Sequence, residues 1–230
     1  MLELGGKSAC LVLDDADIVQ AAAETVKSAF NNAGQMCGAW TRMVVPRTRL
    51  EEATAAVVAE VARLEVGDPV DPRTTVGPIA TGDQYEKVLG YIDRGMREGA
   101  TLACGGPGRP PGLDRGFYVR PTVFTDVDNA MTIAREEIFG PVLSIIAHDG
   151  DDDAVAIAND SPYGLRGAVF SGDHDRAVAV ALRIRTGQVD INGYKMLPNA
   201  PFGGFGQSGY GRCQGRLGFE EYLQVKSLQL

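Results

Sequence analysis

Phe30-Asn31-Asn32-Ala33-Gly34-Gln35-Met36-Cys37-Gly38-Ala39-Trp40-Thr41-Arg42 is the stretch that decides the fold. An alanine-rich helical pattern leads into it, and an apolar β-like run, Met43-Val44-Val45, leaves it. Between the two sits one cysteine, flanked by Gly34 and Gly38, which allow tight backbone conformations. A helix terminus nearby can lower a thiol pKa and bring backbone N–H groups to a developing negative charge. On the cysteine alone, a buried structural thiol and a nucleophile are both open readings.

The elements around this stretch follow from periodicity. Asp14-Asp15-Ala16-Asp17 suits a helix N-terminus, and Ile18, Ala22, Val26 and Ala29 recur at helical spacing behind it. Before it, Ala9-Cys10-Leu11-Val12-Leu13 reads as a strand. Downstream, helices are predicted over 50–64, 84–98, 154–159 and 173–185. Strands are predicted over 43–46, 101–104, 117–124, 142–147, 168–170 and 188–192, with an alternating terminal strand over 222–230. Residues 67–78 and 105–116 read as loops from their Gly and Pro content. Strands alternating with helices predict an α/β fold, a parallel sheet with helices on both faces. Ligands bind at the carboxyl ends of such strands, so Cys37 is expected there, together with the Glu136-Glu137 stretch.

Bulk properties exclude several classes. The 230 residues carry a net charge of −8, which argues against a nucleic-acid surface. No run of about 18 apolar residues is present to span a membrane. Cys10, Cys37, Cys104 and Cys213 lack C-x-x-C spacing, which fits neither a zinc framework nor a redox pair and suggests the reducing cytoplasm. His148 and His174 lie in acidic segments expected to be exposed, which disfavours a multi-histidine metal site. Gly5-Gly6-Lys7-Ser8 suggests a phosphate loop, but the required upstream glycine is Met1 and a strand follows instead of a helix. The Asp149–Asp153 run reads as a helix start, since no ligand-spaced glutamate follows.

Phe30, Asn32, Gly34, Gln35, Cys37, Ala39 and Arg42 fit F-x-N-x-G-Q-x-C-x-A-x-x-R, and in this the chain resembles the NAD(P)-dependent aldehyde dehydrogenases. Further matches follow in the family's order: Glu3-Leu4-Gly5-Gly6-Lys7, Glu136-Glu137-Ile138-Phe139-Gly140-Pro141-Val142, Asn159 with Tyr163-Gly164-Leu165, and Pro201-Phe202-Gly203-Gly204 with Ser208-Gly209. The resemblance implies that Cys37 is the nucleophile and Glu3 the base that activates the hydrolytic water. It implies that Glu137 binds the nicotinamide ribose, that Phe139 packs by the nicotinamide ring, and that Gly5 belongs to the same cofactor region. It places Phe202 and Trp40 on the substrate side, in a tunnel that the 192–208 stretch with Tyr194 helps to line.

The implied reaction oxidises a small-molecule aldehyde to a carboxylic acid with NAD or NADP, through a thiohemiacetal and a thioester on Cys37. The implied division is a catalytic domain over 1–208 and a C-terminal segment over 209–230, whose terminal strand docks on a neighbouring subunit of a homo-oligomer. Family members run to roughly twice this length, and most of their dinucleotide-binding half precedes the residue matching Glu3. The cofactor site is therefore expected to be incomplete here, and the chain poorly active by itself. The family often has Lys at Gly206 and Gly-Arg-Glu where this chain has Gly211-Arg212-Cys213, and both departures read as peripheral. Two alternatives remain at this level: a cofactor-independent thiol esterase using Cys37 and Glu3, and a chain that acts only through oligomerisation.

Overall fold

The computed structural model describes residues 1–193, 195 and 197–230. Tyr194, assigned above to the substrate tunnel, lies outside the described residues. Among them the main sheet has seven strands, in the order β4-β5-β6-β3-β2-β7-β8. In chain order these are β2 (Ser8–Val12), β3 (Trp40–Pro46), β4 (Thr101–Cys104), β5 (Thr122–Thr125), β6 (Val142–His148), β7 (Arg166–Phe170) and β8 (Gln188–Ile191). All neighbours pair in parallel except β4, which runs antiparallel to β5 at the edge. A small antiparallel pair joins β1 (Leu2–Glu3) to β9 (Gly209–Tyr210).

The centre of the sheet is apolar on both faces, as a doubly covered parallel sheet requires. Cys10, Leu11 and Val12 on β2, Met43, Val44 and Val45 on β3, and Leu143, Ile145 and Ile146 on β6 are all buried. Parallel crossovers are right-handed. The β2-to-β3 and β6-to-β7 connections run in opposite directions along the sheet. Their helices α1 (Ile18–Phe30) and α5 (Asp151–Asn159) therefore cover opposite faces. Helix α2 (Leu50–Val61) packs on α1, and α6 (His174–Ala181) packs on β7 and β8. The Asp17 carboxylate caps α1 by accepting from the Val19 and Gln20 amides at 2.9 and 3.1 Å. The remaining helices are α3 (Gly82–Arg97), α4 (Thr132–Arg135) and α7 (Gly215–Glu220).

Several expectations need correction. The predicted 117–124 strand is reduced to β5, because Pro121 has no amide to donate to a ladder. The predicted terminal strand over 222–230 is irregular and exposed. A strand needs a neighbour for its backbone groups, and among the described residues of the single chain it has none. His148 is buried rather than exposed, its Nε2 lying 3.0 Å from the Val12 carbonyl oxygen. None of the described helices is long and apolar enough to cross a membrane.

Two buried cations brace the amino-terminal end of the sheet. Arg42, on β3, donates to the carbonyls of Lys7, Ile157 and Ala158 and to Asn129 Oδ1, all between 2.9 and 3.0 Å. Burial pulls its pKa down to about 10. Lys7, just before β2, is pulled down to about 7 by burial first and then by Arg42, while the Glu137 and Glu136 carboxylates oppose the shift. The folded chain thus releases the Lys7 proton near pH 7, whereas the unfolded chain holds it until about 10.5. Between those values the unfolded state binds more protons, so stability rises with pH. Above about pH 9 the buried Cys10 thiol, pushed up to about 12, acts in the opposite sense. The urea-unfolding free energy is therefore expected to rise from pH 7 to about 9, by about 1 kcal/mol per unit. Lys7→Met is expected to flatten that slope; an unchanged slope in the variant would assign it to other groups.

Candidate active site

The loops that enter the parallel strands carry the site. Gly5-Gly6-Lys7 leads into β2, Cys37-Gly38 into β3, Glu137 to Pro141 into β6, and Gly164-Leu165 into β7. The site therefore sits at the amino ends of the strands, and the expectation of the carboxyl ends is wrong. The carboxyl ends hold an ion-pair lattice instead. There Arg47 meets Asp149 at 2.7 Å, and Arg176 meets both Asp14 and Asp151 at 2.7 Å.

Close backbone approach brings the entering loops together. The Gly6 amide donates to Glu137 Oε1 at 3.0 Å. A Cβ at Gly5 would collide with the Glu137 carboxylate, and one at Gly6 would collide with the Cys37 carbonyl oxygen. Gly34 has φ of +72°, and a Cβ there would meet the Gly140 carbonyl. Thus the Cys37 turn, the glycine pair and the Glu137 loop touch at positions where only hydrogen fits. Ser208 ties the same region from the other side. Its hydroxyl donates to the Gly5 carbonyl at 2.7 Å and accepts from the Gly164 amide at 3.0 Å, while its own carbonyl accepts from Leu4 N at 3.1 Å.

Side chains outside the expected set complete the frame. Gln84, on α3, donates from Nε2 to the carbonyls of Ile138 and Phe139 at 2.8 and 2.9 Å. Phe139 sits at φ of +56° and remains partly exposed. Gln35 accepts from the Ala80 amide at 2.9 Å, which fastens the Cys37 turn to the 67–81 region. Arg166 and Asp190 form a buried pair with contacts of 2.7 and 3.1 Å. A lone charge in each of two otherwise uncharged neighbouring strands was the available sequence signal for that pair.

Cys37 is half-buried and opens on a cavity of about 160 Å³ lined by Met36, Leu197, Ala200, Phe202 and Gln214, among others. Phe202 is on its wall. Trp40 is not: its ring is fully buried, edge-on to Phe170 and beneath the Arg166 guanidinium. Residue 40 already belongs to β3, where alternation turns it into the core, so its substrate assignment is corrected. Glu3 lies on β1, paired with Gly209. Its Oε1 accepts from Cys213 Sγ at 2.6 Å. Cys213 is therefore not peripheral, contrary to the sequence reading.

The Cys37 thiol is raised by burial first, then by the Glu137 charge and to a smaller degree by Glu3, while the Gly38 and Cys37 amides favour the thiolate. The helix that reaches it, α1, presents its C-terminal end, so the pKa-lowering helix terminus expected from sequence is not supplied. No group of metal-ligating side chains occurs among the described residues. The donor set present is two carboxylates around one thiol, at a glycine-lined edge.

Comparison with known proteins gives a consistent picture. The model of the aldehyde dehydrogenase family matches residues 1–228. A putative aldehyde dehydrogenase of Staphylococcus saprophyticus is 49% identical over 227 residues, 99% of this chain and 48% of its own length. Among solved structures, a mutant of aldehyde dehydrogenase C from Pseudomonas syringae, bound to NAD+ and octanal, superposes with a TM-score of 0.96 at 53% identity, over 97% of this chain and 46% of that one. An aldehyde dehydrogenase of Mycobacterium tuberculosis with NAD+ superposes with a TM-score of 0.94 at 52% identity, over 97% and 46%. The chain spans about half the length of the curated relatives it matches.

Replacing Glu137 by Gln removes the charge that most opposes ionisation of Cys37. Alkylation of Cys37 by iodoacetamide at mildly alkaline pH, read by peptide mass, is expected to be faster in Glu137→Gln than in the wild type. An equal or slower rate would show that the carboxylate does not act on the thiol.

Proposed function

The chain belongs to the aldehyde dehydrogenase family, and from that premise we propose that it carries the thiol chemistry of an NAD(P)-dependent aldehyde oxidation. The observation that carries the reading is a half-buried thiol, Cys37, at the mouth of a largely apolar cavity, with Glu3 and Glu137 near enough to act on its ionisation.

Cys37 first gives up its proton to solvent and, as the thiolate, attacks the aldehyde carbon, forming a C–S bond as the C=O π bond opens to a thiohemiacetal oxyanion. The backbone amides of Cys37 and Gly38, which already favour negative charge at the sulfur, are the local donors nearest that oxyanion. NAD(P), when bound, supplies the acceptor for the hydride that the oxyanion expels. The residues present fit the nicotinamide end of such a group. Gly5 and Gly6 form a cradle that a Cβ would fill, Glu137 offers its carboxylate across that cradle, and Phe139 presents a partly exposed ring held by Gln84. Glu137 is the residue we assign to the ribose hydroxyls, by charge-assisted hydrogen bonding. Hydride loss leaves a thioester on Cys37. Glu3 then takes a proton from water, the water oxygen bonds to the acyl carbon, the C–S bond breaks, and the thiolate returns to Cys37.

The cavity walls favour an uncharged, apolar aldehyde. Met36, Leu197, Ala200 and Phe202 are apolar, and the Arg166 cation on the wall is engaged by Asp190. The related enzyme crystallised with octanal is in keeping with that choice. The exposed apolar side chains of Tyr222, Leu223, Val225 and Leu228 support self-association through the C-terminal segment, dividing a 209–230 arm from the 1–208 catalytic body.

With an aliphatic aldehyde and NAD+, NADH formation is expected to fall by a factor of at least about 1000 in Cys37→Ala. Glu3→Gln is expected to leave the first turnover intact and to slow the steady state by a factor of about 100. NADH formation that survives Cys37→Ala would refute the assignment.

A further inference from the structure

Among the described residues, the thiol of Cys213 is the one polar side chain bonded to Glu3, and the reaction as written does not use it. Its Sγ donates to Glu3 Oε1 at 2.6 Å. Both partners are held from outside the contact. Glu3 is fixed by the β1–β9 pairing with Gly209. Cys213 is fixed by a two-way backbone bridge to Phe202, with Phe202 N to Cys213 O at 2.7 Å and Cys213 N to Phe202 O at 2.8 Å. Phe202 and the next residue along, Gln214, line the cavity on which Cys37 opens. The contact therefore links the rim of that cavity to the carboxylate expected to activate water there.

We propose that Cys213 is a positioning residue for Glu3: the hydrogen bond its thiol donates holds the Glu3 carboxylate in place beside the cavity residues Phe202 and Gln214, and so governs the pH dependence with which the Cys37 acyl-enzyme hydrolyses. The inference rests on the reading of Glu3 as the water-activating base.

A protonated thiol is the right partner for this task. A donor to a carboxylate favours its charged form, whereas a second carboxylate in the same place would compete with it for one proton. Burial first, and then the bond to Glu3, push the Cys213 thiol up to about 11, so it stays a donor through the neutral range. The other charged groups around the pair are directed elsewhere. Arg212 donates to the Gly204 and Gly211 carbonyls and stacks over Phe205, and the Glu221 carboxylate accepts from the Arg212 amide. Cys37 is a further titratable group on which the Glu3 charge acts. No proton leaves Cys213 in the cycle. The proton taken from water rests on Glu3, and the thiol reorients its S–H toward whichever carboxylate oxygen remains free.

The test acetylates Cys37 with p-nitrophenyl acetate, removes the excess reagent, and follows loss of the acetyl group by mass from about pH 5 to 9. The acid limb of hydrolysis is expected to move to higher pH by roughly half a unit in Cys213→Ala, a roughly threefold loss of rate on the limb. Cys213→Ser, which restores a donor, is expected to return the limb to the wild-type position. A purely structural role for Cys213 would lower the rate without moving the limb, and an unmoved limb in Cys213→Ala overturns the proposal alone. Hydrolysis unaffected by Glu3→Gln, or a Cys37 that takes no acetyl group, overturns the reading of the site beneath it and the proposal with it. A second readout needs no turnover. Cys213 in the wild type is expected to resist iodoacetamide until the pH nears about 11, and in Glu3→Gln to react at distinctly lower pH. Identical profiles in the two proteins would show that the thiol and the carboxylate are not coupled.

Discussion

The site depends on loops meeting where a side chain would keep them apart. The Gly6 amide reaches the Glu137 carboxylate, Gly6 packs on the Cys37 carbonyl, and Gly34 packs on the Gly140 carbonyl. Each contact is of van der Waals or hydrogen-bond length only because a Cβ is missing. Three segments, around residues 6, 37 and 137, are thereby fixed to one another, with no disulfide and no cluster of metal-ligating side chains among the described residues. Such contacts constrain position more than they stabilise. The stabilisation comes from the apolar centre of β2, β3 and β6, against which the loops are anchored by Arg42 and Ser208.

The electrostatics follow from that arrangement. Two basic side chains, Lys7 and Arg42, are buried below the loops, and two carboxylates, Glu137 and to a smaller degree Glu3, bear on the thiol through their charge. Burial first, and then the Glu137 and Glu3 charges, raise the Cys37 thiol, while the Gly38 and Cys37 amides favour its thiolate. Cys213 extends the same logic one layer out. A neutral donor beside Glu3 adds a hydrogen bond without adding charge. Cys10, by contrast, is a core thiol raised to about 12, bonded by Thr25, and has no part in the chemistry.

Much of this was legible in the sequence. Cys37 with its glycines, the Glu3-to-Lys7 run and the Glu136-to-Val142 run are short segments whose residue types declare themselves, and β2, β3, β6 and α1 follow from apolar periodicity. What was misread depends on direction or on long range. A strand's sequence does not say which end faces the ligand, so the site was expected at the wrong edge of the sheet. Trp40 looked like part of the Cys37 turn, yet it is the first residue of β3 and points into the core. The 222–230 segment has strand alternation but no partner strand. Gln84 and Cys213 act on residues 54 to 210 positions away in sequence, a pairing that no local pattern announces.

The claim beneath all of this is that one thiol out of four is the nucleophile because the fold places it at the glycine-stitched edge. Peptide mapping after brief treatment with p-nitrophenyl acetate tests it most directly. The account predicts an acetyl group on Cys37, with Cys10, Cys104 and Cys213 unmodified: burial raises all four thiols, and among the described residues Cys37 is the one cysteine that lines the cavity. Acetylation of another cysteine in preference to Cys37, or of none, would contradict it.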